Sequence, residues 1–200
     1  MRAPTSTNAC DTALSVVIIK VGGSLAHSEH LRTCLQRVAK LFANQAVIIV
    51  PGGGVFADQV RSLQQHWHFD DTTAHTMALL AMQQMALFYQ SIHPEFKIIS
   101  HSQDIKQQYC VHKKLLWSPN ISELEAAKIN PSWDVTSDSL AAWLANTLPT
   151  KKLILIKSAP IDPSLSFAEL AQRDIIDKSF CTMISNANYP IKIIHVDALH

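Results

Sequence analysis

The chain has 200 residues, 48% of them hydrophobic, which is enough for a compact domain with a sizeable core. Seventeen basic residues against sixteen acidic leave a net charge of +1, so the basic excess of a nucleic-acid binder is missing, and no apolar run approaches the roughly 20 residues that span a bilayer. What remains is a protein expected to act on a small molecule, with no nucleic-acid or membrane partner, and a cytoplasmic location, since "MRAPTSTNACDTAL" lacks the apolar segment of a secretory signal.

Residues 1–13 are polar and aperiodic and are expected to form a flexible segment ahead of a single domain over 14–200. "SVVIIKV" at 15–21 reads as a strand, and Leu31, Cys34, Leu35, Val38, Leu41 and Phe42 mark the apolar face of a following helix. A second strand at 46–50 is broken by Pro51 and Gly52–Gly54, after which Phe56, Val60 and Leu63 recur at helical spacing. The segment 72–92 reads as a long helix, apolar on several sides, which places it deep in the fold or at a subunit interface and makes a homodimer the expected assembly. Strands are expected at 96–99 and 111–117, then a short helix within 118–128 capped by Ser122. A helix over 135–148, a buried strand at 151–157, a helix over 177–187 and a strand at 191–196 complete the chain. Strands alternate with helices and are continuous in Val and Ile, which predicts an α/β three-layer sandwich: a mostly parallel central sheet with helices on both faces.

Cys10, Cys34, Cys110 and Cys181 are scattered without a C-x-x-C pair, so free thiols are expected, with neither a disulfide framework nor a zinc site. Glycine is more telling. Average usage predicts about 14 glycines in such a chain, whereas the five present are confined to "KVGGS" and "PGGGV". Both loops fall at the C-terminal ends of predicted parallel strands, where ligands of open α/β sheets collect and where helix-opening N–H groups attract phosphate. Neither loop matches G-x-x-x-x-G-K-[ST] or G-x-G-x-x-G. Lys20, inside the apolar run "VVIIKVGG", requires an anionic partner if its strand is buried.

"IIKVGGSL", "VIIVPGGG" and "SWDVTSDSLAAWLA" resemble the first loop, the second loop and the aspartate-bearing helix of the amino acid kinase family, a likeness that runs over positions 17–145. "PGGGVFADQVR", "DDTTAHTMALLAM" and "SWDVTSDSLA" further resemble a small branch of it, the aminomethylfuran phosphate kinases of methanofuran biosynthesis and their relatives in methylotrophic bacteria. The resemblance implies transfer of the γ-phosphoryl group of ATP, with Mg2+, to a phosphomonoester, giving a diphosphate. It makes Lys20 the group that neutralises the transferring phosphoryl and Asp138 the residue that orients it. It assigns Gly22, Gly23 and Ser24 to the ATP phosphates, and Gly52, Gly53, Gly54, Thr136 and Ser137 to the acceptor. Asp71, with Asp70 beside it, is the carboxylate expected to meet a substrate amine, near His75. A phosphate acceptor is largely dianionic at pH 7, so no general base is implied.

Two alternatives stand beside this reading. His66, His68, Asp71 and His75 are all metal-ligand types, although no metal site is expected of them. Where the family reads T-D-V-D-G after a strand, this chain has "LILIKSAPID"; Lys157 is the residue expected to meet ATP phosphates there, with Lys178 as a second candidate. That departure keeps open a non-catalytic phosphate- or nucleotide-binding regulatory protein, and an amino acid or carbamate kinase is the remaining option.

Overall fold

In the computed structural model, residues 15–199 are described; the segment 1–13 and Cys10 lie outside them. Six parallel strands form one sheet among the described residues: β1 (Val16–Val21), β2 (Val47–Pro51), β3 (Lys97–Ile99), β4 (Lys114–Trp117), β5 (Thr150–Lys157) and β6 (Ile191–His195), in the spatial order β3-β4-β2-β1-β5-β6. β1 and β2 are buried along their whole length, which is why they are written in Val and Ile without a polar alternation.

Two apolar layers cover the sheet. Val17, Ile19 and Val21 face one side and pack with Leu31, Leu35 and Val38 of α1 (His30–Leu41). Val16 and Ile18 face the other, toward Leu79 and Met82 of the long helix α3 (Asp71–Ile92) and Leu140, Ala141 and Leu144 of α6 (Ser137–Thr147). The three-layer α/β architecture is therefore as expected, and every strand pair is parallel. α2 (Gly54–Trp67) follows β2 on its α3 side, and a 3₁₀ turn at Gly23–His27 follows β1.

Period-two alternation places Lys20 on the face of Ile18, and Lys157 on the face of Leu153 and Leu155, so both lysines point toward α6. β1 lies between β2 and β5, the place where the strand order changes direction and where ligands of such sheets are bound.

Several local expectations need correction. A helix, α4 (Ser102–Val111), occupies a stretch that carries few apolar residues, Ile105 and Tyr109 being its buried contacts, and β4 consequently starts at Lys114 rather than at 111. The short helix α5 (Ile121–Ala126) is capped by the Asn120 side chain, which accepts the Glu123 N–H, and not by Ser122. A helix not anticipated, α7 (Phe167–Gln172), opens on a reciprocal capping box between Ser166 and Glu169. The helix expected over 177–187 shrinks to α8 (Phe180–Met183). Cys34 and Cys181 are free, and burial pushes the Cys34 thiol up to about 12, leaving it inert at neutral pH. No helix of the described residues is long and apolar enough to cross a membrane.

Candidate active site

The two glycine loops meet. A Cβ added to Gly23 would lie 2.3 Å from the Gly54 nitrogen, and one added to Gly52 would lie 2.6 Å from the Gly23 nitrogen, so bare backbone is required where the β1 and β2 loops cross. Gly54 also adopts φ +53°, the left-handed conformation that glycine takes without strain. Two amides expected to hold phosphate are already engaged: Gly22 N–H donates to the Ile156 carbonyl at 2.9 Å and Gly52 N–H to the Val21 carbonyl at 2.9 Å, each extending the sheet ladder by one rung. The amides at the start of the 3₁₀ turn and of α2 have no acceptor within their own helices, which leaves them as the donors these loops can offer an anion.

Behind the loops lies a buried charge cluster. Asp138, in the first turn of α6 and 2% exposed, sits between Lys20 and Lys157: Lys20 Nζ is 2.8 Å from Oδ1 and Lys157 Nζ donates to Oδ2 at 2.5 Å. Burial acts to raise the Asp138 carboxyl, but the two ammonium groups, Lys20 foremost, hold it below the usual carboxylate range. Burial and the neighbouring Lys20 charge lower the Lys157 ammonium to about 8, even though Asp138 opposes them. Two cations share one anion here. The cluster carries one surplus positive charge with little access to water, the condition that recruits an anionic ligand.

A residue unrecognised in the sequence organises this helix start. The Asp177 carboxylate accepts the Thr136 N–H at 2.9 Å, the Thr136 hydroxyl at 2.8 Å, the Ser139 N–H at 3.0 Å and the Ser139 hydroxyl, while its own N–H donates to Asp138 Oδ2 at 3.3 Å. Asp177 thus caps α6 from 38 residues away in place of Thr136, the residue at the cap position. That use explains why residue 177 does not open the helix expected over 177–187.

Two adjoining cavities open at the strand ends. The first, about 220 Å³, gathers Gly23, Ser24, Gly52, Gly53, Gly54, His75, Thr136 and Ser137, with an apolar wall from Ala57, Ala78, Leu79 and Met82. The second, about 400 Å³, exposes Lys20, Asp138 and Lys157, together with Thr136 and Lys178. Arg61, Trp133 and Thr136 line both. Gly23 and Ser24, expected on the ATP side, thus lie on the wall of the glycine cavity; the Ser24 hydroxyl is 2.7 Å from that of Ser158. Burial holds His75 below the usual imidazole range, against the opposing effect of a hydrogen bond to the Ser132 backbone. Lys178 is exposed and pairs with Asp134 at 3.4 Å.

Gly22 and Asp71 line neither cavity. Asp71 is exposed and accepts the Gln64 amide at 2.8 Å, and Asp70 caps α3 by accepting the Thr73 N–H at 2.8 Å, so neither of the carboxylates expected to meet a substrate amine stands on a wall of these two cavities. Asp58 of α2 is a carboxylate that does stand on the first cavity wall. The histidines of "HWHFDDTTAH" do not converge: His66 stacks edge-on with Trp67, His68 takes the left-handed C-cap of α2, and His75 turns inward. Among the described residues, no group of three or more His, Cys, Asp or Glu is placed to hold a metal ion.

Comparison with known proteins agrees with this fold. The model of the amino acid kinase family matches residues 15–160. A curated relative, the [5-(aminomethyl)furan-3-yl]methyl phosphate kinase of Methanocaldococcus jannaschii, is 29% identical over 139 residues, which are 69% of this chain and 63% of the relative, so the match spans less than two thirds of that protein. Among solved structures, uridylate kinase from Archaeoglobus fulgidus superposes with a TM-score of 0.70 at 17% identity over 90% of each chain. UMP kinase from Ureaplasma parvum gives 0.68 at 14% identity over 92% of this chain and 90% of that one. At such identities the two structures speak for the fold.

Proposed function

Because the chain belongs to the amino acid kinase family, we propose that it transfers the γ-phosphoryl group of ATP to a small phosphomonoester and releases ADP and a diphosphate. The observation that carries this reading is the buried Lys20–Asp138–Lys157 cluster, with its surplus positive charge, opening beside a glycine-walled cavity. An oxygen of the acceptor phosphate attacks the γ-phosphorus, the bond from that phosphorus to the β,γ-bridging oxygen breaks, and ADP takes up the electron pair. A dianionic acceptor has no proton to lose, so the protein's task is positioning and charge stabilisation. Lys20 and Lys157 supply the cationic field, and Asp138 holds both ammonium groups in place. Mg2+ enters as the counter-ion of ATP.

The acceptor belongs in the first cavity, its phosphate toward the glycine loops and Arg61, its body against Ala57, Ala78, Leu79 and Met82. An aminomethylfuran phosphate, as in the name of the curated relative, fits that division: a flat, weakly polar ring for the apolar wall and an ammonium for Asp58. The reading implies a cytoplasmic enzyme of methanofuran-type cofactor synthesis. Incubation with Mg-ATP and the aminomethylfuran phosphate should yield ADP and a diphosphate seen by ³¹P NMR. Absence of ADP with every phosphomonoester tried, together with no rise in Tm on adding Mg-ATP, would leave the non-catalytic alternative in its place.

Lys157 gives the reaction an alkaline limit. Its protonated form binds polyphosphate, and its pKa in the free protein is about 8, so kcat/KM for ATP should fall as pH rises through about 8. Bound phosphate raises the lysine's pKa, so the limb in kcat should lie higher. Lys157→Arg, which stays charged, should flatten the kcat/KM profile above pH 8 if it retains activity; an unchanged profile would show that another group titrates.

We also infer a homodimer through α2 and α3. Phe56 and Leu63 on α2, and Leu80, Leu87 and Phe88 on α3, are between 37% and 61% exposed and recur at helical spacing on the outer face of the pair. Sedimentation should show a two-chain species that Leu87→Glu converts to one chain; a wild-type protein that sediments as a single chain removes the inference.

A further inference from the structure

Arg61 is an unusual wall residue. It projects from α2 at the junction of the two cavities, where its Cζ lies 3.8 Å from the ring centroid of Trp133, the residue that shares both walls with it. A guanidinium stacked on an indole is confined to few rotamers, provided that the indole is itself fixed. Trp133 stands in the connection between α5 and α6, so its orientation must be set from outside that segment.

Gln64 sets it. The residue lies one turn beyond Arg61 on the same face of α2. Its Oε1 accepts the Trp133 indole N–H at 2.6 Å, while its Nε2 donates to Asp71 Oδ1 at 2.8 Å and to the Phe69 carbonyl at 3.2 Å. An indole N–H can only donate and a carboxylate can only accept, so a side-chain amide is the group that joins the two, and Asp71 and Phe69 together dictate which end of it faces Trp133. Asp71, which lines neither cavity, acquires a role through this chain.

We propose that Gln64, braced by Asp71, is a positioning residue that holds Trp133 and, through it, aims Arg61 at the acceptor phosphate. The inference rests on the kinase reading, and it separates from that reading because Gln64 and Asp71 touch neither cavity. A carboxylate at position 64 would still accept the indole N–H but would face the Asp71 carboxylate. An amide at position 71 would then relieve that repulsion by donating in the opposite sense.

The test compares wild type, Gln64→Leu, Gln64→Glu and Gln64→Glu/Asp71→Asn, using aminomethylfuran phosphate with Mg-ATP for turnover and inorganic phosphate for binding. Both single variants should raise the acceptor KM and the phosphate Kd about tenfold, with KM for ATP unchanged, and the double variant should return them to within about threefold of wild type. The Trp133 indole N–H resonance should move in Gln64→Leu and return toward its original shift in the double variant. Unchanged acceptor KM and phosphate Kd in both single variants, or a Gln64→Glu defect that Asp71→Asn does not relieve, overturns the inference and leaves the kinase reading standing. Wild-type protein that binds neither phosphate nor the acceptor overturns the reading, and the inference with it.

Discussion

Lys20→Met should lower kcat by about 10³-fold or more, the loss seen when a preorganised charge on a developing oxyanion is removed, while leaving the fold intact. Lys20 is 5% exposed and lies in register with Val50 and Leu155 on the face of the sheet that meets α6. Its methylene stem is therefore packed like its neighbours, and methionine replaces that stem with little change of volume. Asp138 would keep its 2.5 Å contact with Lys157, so the substitution turns a cluster of charge +1 into a neutral pair and strands no ion. A Tm within a few degrees of wild type is the expected companion to the lost activity. Substantial turnover in Lys20→Met would mean that the lysine serves packing and pairing alone, and the transfer path drawn between the two cavities would have to be abandoned. Lys20→Arg is the informative control, since a planar guanidinium keeps the charge but changes the reach and shape at a buried site.

Much of this arrangement could be read from local sequence because its causes are local. A strand buried on both faces has to be written in Val and Ile, and a lysine in such a strand has to have a reason, so Lys20 stood out before its partner was known. Asp138 was visible as an acid in the first turn of a helix, and Lys157 as a cation closing the run "LILIK". The glycines were visible too, and the fold adds a second cause that local sequence does not carry: Gly23, Gly52 and Gly54 meet where the two loops cross, and the amides of Gly22 and Gly52 extend the sheet ladder. The Ser166/Glu169 capping box, S-x-x-E in "SFAE", was a legible signal for α7 that hydrophobic periodicity alone passes over, because six residues give too few repeats.

Other features had no local signature. Asp177 caps α6 across 38 residues, and nothing in "IIDKSF" distinguishes that acid from one opening a helix of its own. Arg61, Gln64 and Trp133 read as ordinary residues of an amphipathic helix and a loop; only the docking of α2 beside the 131–135 connection turns them into one contact chain. Asp71 lies close in sequence to the acceptor loop, but after the left-handed turn at His68 it stands exposed against Gln64 rather than on a cavity wall. Proximity along the chain was a fair guide to strand ends and a poor one beyond the first helical turn.

Asp138→Ala should have the largest effect on both stability and turnover. The wild-type cluster places two lysines, 5% and 9% exposed, around one carboxylate that is 2% exposed. Without the carboxylate, two buried ammonium groups face each other with no counter-ion, and breaking such an arrangement costs about 3–5 kcal/mol. For a chain of this length, that corresponds to a fall in Tm on the order of 10 °C. The pH dependence follows from the sign of the shift. In the variant Lys157, whose pKa burial already lowers to about 8, loses the carboxylate that opposes that shift, so its pKa falls further below the unfolded value and the unfolded chain binds more protons; stability must then rise as pH climbs through the folded-state pKa of Lys157, and the deficit against wild type should narrow under alkaline conditions. The double variant Asp138→Asn/Lys157→Met separates the two roles of the aspartate. It restores a single surplus charge, on Lys20, and should recover part of the lost Tm, yet it should remain inactive because Lys157 no longer contributes to the cationic field and nothing anchors the Lys20 ammonium where Oδ1 held it at 2.8 Å. Recovery of turnover along with stability would show that Asp138 serves only to neutralise buried charge. Recovery of neither would place its main contribution in the link to Asp177 and the start of α6, where the Asp177 N–H meets Oδ2 at 3.3 Å.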